Sequence, residues 1–169
     1  MTHDIGRPAT AEEIVRILRD TAYDHLVITQ NRHWTLYLNG RDQSFPGRAY
    51  AWMNQRHVDR TSLTHLGSEE RYDLLEMYAK YEYAIAQLYA VATVNFEWLG
   101  NETDQHRGHG HAHFIPRFYG QVFLHDRAFM DENPMGRRNN ARLRLERDEL
   151  IRIVTDVRSL MQGRTRSAA

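Results

Sequence analysis

His109, His111 and His113 recur at every second position in the stretch His109-Gly110-His111-Ala112-His113-Phe114-Ile115-Pro116-Arg117. A strand turns successive side chains to opposite faces, so this spacing gathers all three imidazoles on one side of a sheet. A helix turns ~100° per residue and would scatter them over about 400° of arc. The intervening Gly110 and Ala112 fit the strand reading, because small residues let the opposite face press against another layer. Pro116 is expected to end the ladder, since it has no N–H to donate.

Such a trio admits three kinds of chemistry. It can be a polar surface strand rich in histidine. It can be a metal site, because neutral imidazole is the commonest protein ligand for zinc and its neighbours, with His106 or His125 as further candidate ligands. It can also be a nucleophilic site, in which one histidine attacks while its companions orient it and handle protons. Strict alternation speaks against the first. Spacing alone leaves the second and third open.

The elements that must hold the trio are bounded by composition. The chain has 169 residues, the size of one domain with a real core. Residues 1–162 read as that single domain and 163–169 as a flexible basic tail. Basic and acidic side chains balance at 22 each, which argues against a broad footprint for nucleic acid or an anionic membrane. With no cysteine, disulfides, thiolate metal sites and a cysteine nucleophile are excluded. No apolar run approaches the ~20 residues of a membrane span, and Met1-Thr2-His3-Asp4 reads as no signal peptide. The expectation is a soluble cytoplasmic protein.

Along the chain, Thr10-Ala11-Glu12-Glu13 has the form of a capping box before a first helix reaching about Thr21. Leu26 to Thr29 reads as a short strand. His33 to Leu38 reads as a firmer one, ending at the Asn39-Gly40 turn. Phe45-Pro46-Gly47 turns the chain into a strand over Arg48 to Met53. Ser68-Glu69-Glu70 opens the longest helix, whose buried stripe is expected to comprise Leu74, Leu75, Tyr78, Ile85, Leu88 and Ala92. The tyrosines at 72, 81, 83 and 89 are assigned to core or interface. A strand over Val94 to Leu99 ends near Gly100-Asn101, and a polar loop leads to the histidines. Residues 118–141 show little periodicity, and loops of that length usually carry function. Leu150, Ile153, Val154, Val157, Leu160 and Met161 define a closing helix. The sum is an α+β domain: about five antiparallel strands with helices packed against them.

In this order the parts resemble the histidine triad superfamily of nucleotide hydrolases and transferases. The carrying motif is His109, His111 and His113 followed by the apolar pair Phe114 and Ile115. Pro46-Gly47 between two strands, Gln55-Arg56-His57-Val58 and the helix from Ser68 agree with it upstream. Asn95-Phe96-Glu97-Trp98-Leu99-Gly100-Asn101, with His113 to Arg117, looks most like the diadenosine polyphosphate hydrolase-like branch. The match spans roughly residues 30–118. Three features depart from the family pattern: Arg48 stands where many members carry a histidine, Gly110 and Ala112 are smaller than usual, and the loop between Asn101 and His109 is a few residues longer. The third histidine separates the chain from the galactose-phosphate uridylyltransferase branch, which has glutamine there.

The resemblance implies a domain of histidine triad fold that cleaves a nucleotide conjugate, such as a dinucleoside polyphosphate, at the α-phosphate. In that reading His111 attacks, and His109, His113 and Gln105 complete the catalytic set. Asn39, Arg48, Asn95 and Asn101 contact substrate. It implies no metal and no cofactor, a nucleotide as ligand and a homodimer, while the charge balance and the lack of an apolar span imply no nucleic-acid or membrane partner. His57 reads as structural, and Arg137 and Arg138 as a solvated pair. A metalloprotein built on His109, His111 and His113 and a non-catalytic nucleotide-binding module are the alternatives.

Overall fold

A computed structural model describes residues 23–54, 62–89, 91–99, 110–124, 126–136 and 142–163, with the side chains of residues 91 and 92 excepted. The helix expected over Thr10 to Thr21 lies outside these residues. Five strands form one antiparallel sheet: β1 Val27–Gln30, β2 Trp34–Leu38, β3 Ala49–Met53, β4 Val91–Trp98 and β5 His111–Phe118. Their order across the sheet is β1-β2-β3-β5-β4. Helix α1 runs Ser68–Leu88 and α2 runs Arg147–Gly163. This is the α+β architecture read from the sequence.

The Pro46-Gly47 turn that feeds β3 has a local cause. Arg48 N–H donates to the Phe45 carbonyl at 2.9 Å, with Pro46 supplying its fixed φ and Gly47 a φ of +88°. Proline then glycine at the two central positions is the requirement of a type II turn. The Tyr81 hydroxyl donates to the Gly47 carbonyl at 2.5 Å, so α1 pins this turn to the sheet.

The even-numbered residues of β5 face α1. Phe114 meets Tyr78, Tyr81 and Phe96 at ring-centroid distances of 5.1, 5.3 and 5.7 Å, and Trp34, Leu36, Ala49, Ala51, Ala112 and Phe114 are all fully buried. The small residues have the expected reason. A Cβ on Gly110 would stand 2.7 Å from Trp98 Cη2 and 3.1 Å from Met53 Sδ.

Several boundaries differ from the sequence reading. Pro116 does not end β5; the strand continues to Phe118. Met53 N–H donates to the Gly110 carbonyl at 3.0 Å, so alternation points the N–H side of even residues toward β3. The β3 ladder has already stopped at Phe114, and the ladder with β4 runs on to Phe118. Pro116 therefore takes a place where no donor is required. On α1, Leu75 is 61% exposed while Leu74, Met77, Tyr81, Ala84 and Ile85 are buried, because one residue along a helix turns ~100° off the buried stripe. Gly67 caps that helix rather than Ser68, its N–H donating to Glu70 at 2.6 Å. Ala92 belongs to β4, which begins three residues before the expected Val94. Tyr81 and Tyr89 are buried, whereas Tyr72 and Tyr83 are exposed. Within 118–141 lies a hairpin of two four-residue strands, β6 Gln121–Leu124 and β7 Arg127–Met130, too short for periodicity to register. Of the residues read for α2, Leu150, Ile153, Val154, Val157 and Met161 are buried and Leu160 is partly buried, and Arg158 donates to the carbonyls of Val27 and Ile28.

Candidate functional site

The odd-numbered residues of β5 look away from α1, and the ladders place their neighbours in rows. His113 lies opposite Tyr50 of β3 and Glu97 of β4, and Tyr50 lies opposite Tyr37 of β2. His111 lies opposite Trp52, and Trp52 opposite Thr35. Ile115 lies opposite Asn95. Directly opposed residues of antiparallel strands share a face. One sheet surface thus gathers Thr35, Tyr37, Tyr50, Trp52, Asn95, Glu97, His111 and His113.

Both histidines are nearly closed to solvent, His111 at 3% and His113 at 8% exposure. Their ring centroids are 4.9 Å apart with planes 49° from parallel. Trp52 stacks on His111 at 5.4 Å and 26°, while Tyr50 meets His113 edge-on at 5.5 Å and 84°. Burial pushes the Tyr50 phenol above its ordinary range, with Arg48 and Arg41 acting in the opposite sense. Tyr37 is raised by burial and by the charge of Asp24. Both phenols are therefore neutral hydrogen-bonding groups at physiological pH.

Arg48 precedes β3 on the same side by alternation. Its guanidinium pairs with the Asp42 carboxylate, both side chains being about one-eighth exposed. Burial works to raise the Asp42 carboxyl, but hydrogen bonds from Ser44, the Arg48 charge and the Leu143 N–H outweigh it and hold the group below its usual range. Arg48 thus presents a cation whose direction is set by a partner, a different element from the neutral histidine common in the triad pattern.

Asn39 is buried at the end of β2, where its N–H donates to the Arg48 carbonyl. Its Oδ1 accepts from the N–H groups of Arg41 and Asp42 at 2.9 and 3.1 Å, the hydrogen bonding of an Asx turn. Gln43, wholly buried, ties this loop together by donating to the Asn39 and Arg48 carbonyls and accepting from Gly47 N–H. Asn95 is half-buried on β4.

The structure therefore brings His111, His113, Asn39, Arg48 and Asn95 to one side of the sheet. His109, Gln105 and Asn101 lie outside the described residues, as do His57, His106, His125, Arg137 and Arg138. Among the described residues no group of three or more histidine, cysteine, aspartate or glutamate side chains is arranged to hold a metal ion. No described helix is long and apolar enough to cross a membrane.

Trp52, Tyr50, Asp42 and Arg117 escaped the sequence reading. The two aromatics carry no motif; only the β3–β5 register reveals that they face the histidines. Arg117 is 2% exposed. Its Nε and Nη2 donate to the two Asp131 carboxylate oxygens at 2.6 and 3.1 Å, and it also reaches the carbonyls of Asn133 and Gly136. Its guanidinium carbon lies 5.3 Å from the centre of the Phe45 ring. Alternation gave its face, but its partner sits in the segment without periodicity.

No family model matches the chain, and no curated protein matches it by sequence. Solved structures do share its shape. A hypothetical histidine triad nucleotide-binding protein from Sulfolobus tokodaii is 12% identical with a TM-score of 0.62, covering 85% of this chain and 87% of its own. A zinc-bound histidine triad family protein from Mycobacterium smegmatis is 17% identical with a TM-score of 0.55, covering 82% and 87%. The diadenosine triphosphate hydrolase of Plasmodium falciparum, solved with cyclomarin A, is 16% identical with a TM-score of 0.54, covering 83% and 78%. The class is thus an antiparallel α+β sheet carrying its histidines on the face away from its long helix. The particular fold is that of the histidine triad proteins.

Proposed function

We propose that this protein hydrolyses or transfers nucleotides, cleaving a nucleotide conjugate such as a dinucleoside polyphosphate at its α-phosphate through a nucleotidyl intermediate on His111. The observation that carries the reading is the adjacency of two buried imidazoles, His111 and His113, on the face of the sheet turned away from α1. A neutral imidazole attacks phosphorus through an in-plane lone pair while its other nitrogen keeps a proton. The resulting phosphoramidate is labile, so water or another acceptor completes the reaction. His109, His113 and Gln105 orient the nucleophile and serve the leaving group, the kind of contribution worth typically ~10²–10⁴ in rate. Arg48, aimed by Asp42, supplies positive charge to phosphoryl oxygens. Asn39, Asn95 and Asn101 contact the nucleoside, Asn39 through its Nδ2 group because its Oδ1 is engaged in the turn.

The test is denaturing mass spectrometry of protein mixed rapidly with diadenosine triphosphate or adenosine 5′-phosphoramidate. An adenylyl adduct mapped to His111 is the expected result. The zinc-bound Mycobacterium smegmatis neighbour favours one other reading, a metal site on the same histidines. Stoichiometric zinc that disappears in His109→Ala, with no adduct, would replace the nucleotidyl reading by that one. The exposed Tyr72, Leu75 and Tyr83 of α1 support a homodimer formed through this helix, which sedimentation equilibrium checks.

A further inference from the structure

We infer that Trp52 is a positioning residue for His111, holding the imidazole by one face and stabilising the positive charge the ring acquires when it bonds to phosphorus. The inference rests on His111 being the nucleophile. Its geometric basis is the register. Met53 and Gly110 form a hydrogen-bonded pair, Met53 N–H donating to the Gly110 carbonyl. The next pair along, Trp52 and His111, is therefore of the non-hydrogen-bonded kind, in which cross-strand side chains approach most closely. The rings lie 5.4 Å apart and within 26° of parallel.

A stacked neighbour suits this nucleophile for a specific reason. The attacking lone pair and the remaining N–H both lie in the plane of the imidazole. A group packed on the ring face fixes that plane, and so confines the line of attack to it, without competing for either nitrogen. His113, tilted by 49° at 4.9 Å, restricts the same ring from a second direction. Tyr50 has no such relation to His113, which it meets edge-on. The two aromatics of β3 therefore act differently, and the stacked one sits on the central histidine.

The chemical step adds an electrostatic part. As the imidazole nitrogen forms its bond to phosphorus, the P–O bond to the leaving group (the P–N bond of a phosphoramidate) breaks and its electron pair departs with that oxygen or nitrogen, which takes up a proton from solvent. The ring keeps its other N–H and becomes an N-phosphoryl imidazolium with delocalised positive charge. Water then attacks phosphorus and gives up a proton to solvent, the P–N bond breaks with its electron pair returning to the ring nitrogen, and the ring is again neutral imidazole. An indole face attracts a cation that a saturated side chain does not, so Trp52 favours the transition state into and out of this intermediate more than the resting imidazole.

The experiment compares wild-type protein with Trp52→Phe, Trp52→Leu and Trp52→Met by rapid-quench measurement of the His111 adduct formed from diadenosine triphosphate and from adenosine 5′-phosphoramidate. Trp52→Leu and Trp52→Met should slow adduct formation about 3- to 30-fold, with KM unchanged within about twofold since uniform binding is untouched. Trp52→Phe should recover most of the rate, because a ring face is restored. NMR of the folded variants should show larger ring-current shifts of the His111 ring protons in wild type and Trp52→Phe than in Trp52→Leu and Trp52→Met. Equal rates for Phe, Leu and Met would overturn the inference, as would a loss confined to KM, which would make Trp52 a substrate contact. Absence of any wild-type adduct would overturn the nucleophile reading itself, and this inference with it. An adduct that forms at the wild-type rate in Trp52→Leu sinks the role of Trp52 alone.

Discussion

The two faces of the central strand make a sharp contrast. His111 and His113 alternate with Ala112 and Phe114 along one β5 backbone, and all four are buried. On the α1 side, burial is produced by hydrocarbon on hydrocarbon: Phe114 fits among Tyr78, Tyr81 and Phe96, and Gly110 is left bare so that Trp98 can lie against the strand. On the other side, polar rings are covered by aromatic rings and flanked by a charged pair. The first arrangement gains free energy from apolar area removed from water. The second must satisfy or neutralise the groups it hides, which is costly for stability and useful for chemistry. Residues one position apart therefore answer to different selective physics.

This contrast is open to direct attack. The largest expected effect is on activity: His111→Ala should lower nucleotide hydrolysis by at least about 10³-fold, as loss of a nucleophile does, while leaving the thermal midpoint within a few degrees. Hydrolysis of diadenosine triphosphate at the wild-type rate in this variant would remove the histidine-bearing face from the chemistry. Phe114→Ala, on the opposite face of the same strand, should cost about 3–5 kcal/mol in urea unfolding. Its kcat per folded molecule should stay near wild type.

Arg117 and Asp131 are an exception on the histidine-bearing side, because their buried pair binds the Asp131–Gly136 segment to the sheet. Asp131→Asn should cost about 3 kcal/mol, toward the lower end for breaking a buried pair because the amide retains one acceptor. If instead denaturant curves superimpose, the pair adds nothing to the anchoring of that segment. The smallest effect concerns pH. The Asp42 carboxyl is held below its usual range in the folded protein, so its contribution is present above the unfolded value and fades as pH falls through the folded one. The stability gap between wild type and Asp42→Asn should accordingly be widest near neutrality and shrink below about pH 4. A gap independent of pH would show that Asp42 acts through shape rather than charge.

How far the sequence could be read follows from the range of the interactions involved. Alternation at His111 and His113, the Pro46-Gly47 turn and the stripe of α2 are local signals, expressed within a few residues, and the structure reproduces them. The misplacement of Leu75 and Ala92 came from extending a helical stripe without knowing which arc met the sheet. Pro116 misled because a missing N–H matters only where a partner strand still runs alongside, and β3 had already turned away at Gly47. The β6–β7 hairpin went unread because four-residue strands offer too few repeats for a period.

By itself, the order of residues determined the strand that carries His111 and His113, that they share one face, and the antiparallel α+β class, since backbone sterics and side-chain alternation act at short range. Only the tertiary structure decided what faces those rings. Trp52 meets His111 and Arg117 meets Asp131 because register and chain crossing bring them together. Contacts between residues far apart in the chain are set by how the whole sheet packs, and a one-dimensional pattern does not record them.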